Sequence, residues 1–322
     1  MNKKIIKFLK LCTFAFILTI GLSSKVFAYE NTYYTNSKGV AFTEEQYINL
    51  TRLGFSAEEI DGITQELYDS YGDINDVIVD KTVTKYFRET MVNNSTYVEE
   101  ISERDYENEI PSLSLSLVSP RSGSTHETNY KKLTLTSYQV DVTKPTERFV
   151  VSDLTWKKLP SVRSFDIYAA RVSSNGYIVN GTQFGSMTAT ATKFNSDCTP
   201  IGSQDYTSTY SSGDGAWNTA SGTFGYSGIG FTSELKRVPY VCLNDFGMNN
   251  ASVSGYSARL SFKSYTGTTV YASYQHASTS VSYNSVYRAY SFSNSGLGNV
   301  IYFSNSTLTN SYDNMGGVQL SL

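Results

Sequence analysis

Histidine, cysteine and tryptophan are scarce, with 2, 3 and 2 copies in 322 residues. His126 and His276 are 150 positions apart, so any Ser-His-Asp or Cys-His site must rest on one of them. Neither histidine has the paired local spacing with Cys198 or Cys242 that a zinc site needs. No P-loop or dinucleotide fingerprint is present. Gly225-Tyr226-Ser227-Gly228-Ile229 misses the nucleophile-elbow pattern at its last glycine. Ser233-x-x-Lys236 lacks the accompanying S-D-N and K-T-G. The stretch opening at Asp69 fails as a calcium loop, with Tyr71, Ile74 and Asp80 where Asp or Asn, Gly and Glu belong. The reading is therefore of a chain without cofactor or metal. Its basic residues are scattered, which argues against a nucleic-acid partner.

Long apolar runs are also missing beyond the start. Lys3, Lys4, Lys7 and Lys10 precede the apolar CTFAFILTIGL, and Val26-Phe27-Ala28 fits the small-x-small rule. Residues 1–28 read as a signal peptide cut after Ala28, which predicts a secreted, extracellular protein. Nothing later reaches the ~18 apolar residues of a spanning helix, so no permanent membrane anchor is expected. Two cysteines survive the cut. An even count in an exported chain predicts a Cys198–Cys242 disulfide closing a loop of about 45 residues.

After the signal, 21 basic and 29 acidic residues remain, net −8. The sign is divided along the chain: residues 29–110 carry net −12 and residues 111–322 net +4. The first part reads as an acidic helical segment. Thr43-x-x-Gln46 and Ser56-x-x-Glu59 are capping boxes, with Gly54 and Gly72 as stops. Tyr47, Leu50 and Leu53 form one apolar stripe, and Ile60, Ile63 and Leu67 another. Val77–Val92 reads as a strand, Tyr97–Ile101 pairs back, and Ser102–Asn108 adds a helical turn. Opposite charge offers one way for this segment to dock on the rest.

Residues 111–129 read as a linker with a first strand at Leu113, Leu115 and Leu117. From residue 130 to 322 the pattern is period-2 alternation: Leu133/Leu135, Val140/Val142, Ala258/Leu260/Phe262, Ile301/Phe303 and Val318/Leu320/Leu322. Each such strand has one buried and one wet face, as antiparallel sheets allow. The predicted fold class is mainly β, an antiparallel β-sandwich of roughly ten to twelve strands preceded by the helical segment. Leu154–Val179 carries its centre: Trp156 in one strand, then a strand through Phe165, Ile167 and Ala169 that is apolar on both faces. A type I′ hairpin turn at Asn175-Gly176 then predicts a return strand through Tyr177 and Val179.

TEEQYINLTRLGFSAEEI, ISERDYENE, WKKLPSVRSFDIYAAR, YASYQHAS, GLGNVIYFSNS and YDNMGGVQLSL resemble stretches of uncharacterised secreted proteins of Bacillus and Clostridium. The resemblance implies a compartment and a layout, and brings no catalytic residue.

The positive chemical feature is 26 Tyr and 17 Phe. Tyrosine joins a flat apolar face to a polar tip, which suits glycan or protein contact. Trp217, beside the Gly213-Asp214-Gly215 turn, with Tyr206 and Tyr210 forms the candidate binding surface. Asp166 and His276 are the residues to watch: a carboxylate in a central strand must be paired or functional, and Arg163, Arg171 and Arg288 are its candidate partners. These observations point first to a secreted, non-catalytic binding or surface-interaction protein whose partner is a cell-surface glycan or protein. A β-pore-forming toxin, from the Ser/Thr-rich Thr188–Thr192 and Ser203–Ser212, and a hydrolase covered by its acidic N-terminal segment are the alternatives.

Overall fold

The computed structural model describes residues 32–72, 74–92, 95–108, 127–160, 162–195, 199–235, 242–244, 247–249, 253–293 and 300–322. The signal segment, Leu113–Leu117, His126, Cys198, the side chain of Cys242 and the Asn294–Gly298 turn lie outside them. The expected disulfide therefore falls outside the described residues.

The chain enters through a tiny hairpin, β1 (Tyr34–Thr35) and β2 (Ala41–Phe42). Three helices follow: α1 (Glu44–Arg52), α2 (Ala57–Asp61) and α3 (Gln65–Tyr71). Both expected capping boxes form, each hydroxyl accepting from the N3 amide while Gln46 or Glu59 reaches back. The second apolar stripe, however, spans two helices. Gly62 ends α2, and Thr64 caps α3 by accepting from the Leu67 amide. Ile60, Ile63 and Leu67 still share one core, because the break redirects the backbone without turning their side chains outward. Gly54 lies between α1 and α2 with φ +87°, and a Cβ there would stand 2.8 Å from an Arg259 guanidinium nitrogen.

Next come β3 (Ile78–Val92), β4 (Ser95–Ile101) and α4 (Glu103–Asn108). The long strands β5 (Glu127–Gln139), β6 (Glu147–Lys158), β7 (Phe165–Val172), β8 (Phe184–Phe194) and β9 (Pro200–Tyr210) follow. Then come β10 (Trp217–Ser221), β11 (Tyr226–Glu234) and the small hairpin β12 (Cys242–Asn244) and β13 (Gly247–Asn249). The chain closes with β14 (Val253–Tyr265), β15 (Thr269–Gln275), α5 (Tyr283–Val286), β16 (Tyr290–Phe292), β17 (Ile301–Phe303), α6 (Ser306–Ser311) and β18 (Val318–Ser321).

The fold is mainly β and antiparallel. One sheet has the order β4-β3-β5-β6-β14-β8-β9, and the other β10-β11-β7-β15-β18. Their facing sides meet in a core of Leu133, Leu135, Leu154, Trp156, Tyr168, Phe231, Leu260, Phe262 and Tyr274 among others. Each such large apolar side chain contributes roughly 1.5–3 kcal/mol by leaving water. The helices α1–α3 cover the outer side of the seven-stranded sheet at Phe149, Val151 and Phe184. Val286, Tyr290, Ile301, Leu308 and Tyr312 cover the outer side of the five-stranded sheet at Ile167 and Ala169. β7 is thus the middle strand of its sheet and buried on both faces, as its composition predicts.

Several expectations are corrected. Asn175-Gly176 makes a turn, with the Gly176 amide donating to Ser173 at 2.9 Å, but neither residue has positive φ. No return strand forms beside β7, whose neighbours are β11 and β15. Instead Ile178 bridges Tyr226, Val179 donates to Lys263, and the chain crosses to the other sheet. The division at residue 110 does not separate the sheet, since β3 pairs with β5 along almost its whole length. Val142 is not a strand residue: it sits exposed in the turn before β6. Charge is also a minor part of how the helices dock. Glu59 lies 3.6 Å from Arg259 and accepts from Ser186, and hydrogen bonds from Ser70 to Gly181 and from Ser211 to Gly62 join it around an apolar centre.

Candidate functional site

Asp166 and His276, 110 residues apart in sequence, meet between the two sheets. Asp166 shares the inward face of β7 with Tyr168, while His276 follows directly after β15. The His276 Nδ1 stands 3.0 Å from both carboxylate oxygens. Asp166 also accepts from the Tyr274 hydroxyl and, at 2.9 Å, from the Ala277 amide. An ionised carboxylate only accepts, so Nδ1 carries the proton and the tautomer is fixed. The arginines that the sequence offered are elsewhere. Arg171 stacks on Tyr271, Arg163 lies near the Tyr256 ring, and the Arg288 Nε donates to the Trp217 carbonyl.

Three further ionisable residues join this pair. Lys131 of β5 ion-pairs with Glu89 of β3 at 2.5 Å and with Asp313, which follows α6. The other Asp313 oxygen accepts from the His276 amide at 3.0 Å, linking the two halves of the network. Asn129 donates to Glu89, and the Lys131 ammonium sits 4.6 Å from the centre of the Trp156 ring. Glu89, Lys131, Asp166, His276 and Asp313 are all 2 % exposed or less. Sequence reasoning missed Lys131, Glu89 and Asp313. The signal for the first two was parity: Lys131 alternates with Leu133 and Leu135, and Glu89 with Phe87, so both point inward.

Burial and charge oppose each other here. Burial pushes the Asp313 carboxyl up; Lys131 pulls it back, and the neighbouring Glu89 charge pushes it up again, leaving it well above the usual carboxylate range. Burial also pushes Glu89 up, but Lys131, then His276 and Asp313, bring it below its ordinary value. Burial alone would lower His276, and Asp166 outweighs it, so the imidazole is raised. The network sets three carboxyls against one lysine and one histidine, and each charged group has an opposite partner within reach, the condition under which such groups tolerate burial.

The pair Asp166–His276 has the form of a charge-oriented general base. Its working atom is Nε2, which is buried and has no hydrogen-bond partner among the described residues. The Trp156 ring stands edge-on to the imidazole, with ring centres 5.0 Å apart. Among the described residues no hydroxyl is hydrogen-bonded to Nε2.

Asp313 also forms part of the wall of a cleft of about 470 Å³ between the end of β15, β17 and α6. Gln275, Ser278, Thr309, Asn310 and Asn314 supply amides and hydroxyls to it, with Tyr302, Phe303 and Tyr312 as aromatic walls.

The aromatic surface expected at Trp217 is not there. Trp217 is 4 % exposed, its Nε1 donates to the Ser211 carbonyl at 2.7 Å, and its ring packs edge-on against Phe231. Tyr210 stacks on the same Phe231 and donates to Ser233. Tyr206 is half-buried and packs inward from edge strand β9. The polar turn beside Trp217 lies at the surface, but the large ring turns into the core, where it removes more apolar area from water.

The chain matches no protein-family model, no curated protein and no solved structure.

Proposed function

We propose that this is a secreted, non-catalytic protein that works by binding at its surface, its partner a cell-surface glycan or protein. One observation carries the reading. The constellation richest in chemistry is buried between two sheets, with Asp313 alone reaching the wall of a cleft, and the spare nitrogen of its histidine faces no nucleophile among the described residues. Buried and internally paired, such a network pins the register of β3, β5, β7 and β15, with accessible surface left for recognition.

The alternative of a hydrolase uncovered by removing an acidic segment fits this geometry poorly. The helices α1–α3 lie on the far side of the seven-stranded sheet, and residues 29–110 themselves supply Glu89. The Ser/Thr-rich stretches considered for a pore are the strands β8 and β9, paired from Gly185↔Tyr210 to Phe194↔Pro200.

The test is retention of the exported protein on purified cell wall, immobilised glycans and extracellular-matrix proteins, alongside liposome leakage and a hydrolase panel. Retention on one of these surfaces, with no leakage or turnover, is expected. Turnover that disappears in His276→Asn would overturn the reading.

A further inference from the structure

We infer that the cleft beside Asp313 is a binding site for a neutral carbohydrate of one to three sugar units, an inference that rests on the surface-binding reading above. Its lining selects the class. Among the lining residues are no lysine and no arginine, and the single carboxylate, Asp313, is already bonded to Lys131 and the His276 amide. An anionic ligand would enter without a cation to meet it, and a cationic one would have to compete with Lys131. The Asn310 amide and the Ser278 and Thr309 hydroxyls both donate and accept, the pairing that sugar hydroxyls, themselves donors and acceptors, require.

Further observations favour a built site. The aromatic wall is held in place. Phe303 stacks on Tyr312 at 4.9 Å, and the Tyr312 hydroxyl donates to the Phe165 carbonyl at 2.6 Å. At the rim, Tyr302 is 54 % exposed because β17 turns Ile301 into the core and the next side chain outward. An exposed ring offers its face to the C–H side of a pyranose. Gln275 is anchored by its Nε2 to the Met315 carbonyl at 3.1 Å, so its orientation is set before a ligand arrives. The volume of about 470 Å³ falls within the range of small-ligand sites, ~300–1,000 Å³.

The full chain, Tyr302→Ala, Asn310→Ala and the distant control Thr207→Ala would be titrated calorimetrically with chitotriose, cellotriose, xylotriose and maltotriose. Dextran sulfate serves as the anionic counterpart, and thermal melting checks each variant. At least one neutral trisaccharide is expected to bind. Its affinity should fall tenfold or more in Tyr302→Ala and in Asn310→Ala and stay unchanged in Thr207→Ala, with melting temperatures alike. A neutral sugar bound equally by all four proteins would overturn the site while leaving surface binding intact. Binding of dextran sulfate alone would overturn the neutral-ligand claim, and retention on protein ligands alone would overturn the carbohydrate class. Retention on nothing, cell wall and matrix included, would overturn both readings.

Discussion

Replacing Lys131 with methionine keeps the volume and removes the cation bonded to both Glu89 and Asp313. Glu89 would then be ionised in a space where no ammonium meets it, and its least costly response at pH 7 is to take up a proton. Protonating a carboxyl of ordinary pKa ~4.3 at pH 7 costs about 3.7 kcal/mol, at 1.36 kcal/mol per unit. Asp313 adds little, because its carboxyl already stands at about 7. The expected loss of about 3–4 kcal/mol falls inside the ~3–5 kcal/mol usual when one partner of a buried pair is removed. At pH 4.5 the same protonation is nearly free in both folded and unfolded chains, so the loss should shrink to about 1 kcal/mol. The double variant Lys131→Met/Glu89→Leu should recover most of the loss at pH 7, since no uncompensated charge remains. Guanidinium unfolding at the two pH values, followed by tryptophan fluorescence, measures all three. A loss under about 1 kcal/mol at pH 7, or one equal at both pH values, would refute the account of Lys131 as the charge that keeps Glu89 ionised.

The wild-type protein should itself be most stable on the acid side of neutrality. Asp313 has a raised folded value, so its contribution is complete below the ordinary carboxylate range and is lost as pH rises through about 7. His276, also raised, loses its contribution over the same rise, whereas Glu89, lowered, withdraws its own only in strong acid. Denaturation midpoints measured from pH 4 to 8.5 should fall between about pH 4 and about pH 7, and a flat or rising profile over that span would contradict this. Asp166→Asn places an amide donor where the carboxylate accepts from His276, Tyr274 and Ala277. It should cost about 2–4 kcal/mol and move the His276 titration downward in an NMR pH series. Gly54→Ala should cost about 1–2 kcal/mol by the φ > 0 penalty plus displacement of Arg259, read as a lowered melting temperature.

Much of the frame is legible residue by residue. Thr43 and Ser56 carry their caps because a hydroxyl three residues before a Gln or Glu satisfies local amides, and nothing distant enters that bond. β7 is central because Phe165 to Val172, Asp166 and Arg171 apart, is apolar or small on both faces, a pattern that suits a doubly covered strand. Asn175-Gly176 misleads for the opposite reason. A dipeptide can permit a hairpin, but β11 and β15 already occupy both edges of β7, and pairing is settled by all neighbours together. Trp217 misleads because a polar turn says where the backbone runs and not which way one ring points.

The same division separates the site from the sequence. Alternation alone places Lys131 and Glu89 on inward faces, and composition alone leaves Asp166 needing a partner. Which groups answer one another is decided only when two sheets close: β3, β5, β7 and β15 bring together residues up to 224 positions apart in the chain, from Glu89 to Asp313. Local patterns fix which side of a strand is dry, since that depends on the period of the backbone. Charge balance inside the closed sandwich depends on distances across it, and those exist only in the folded molecule.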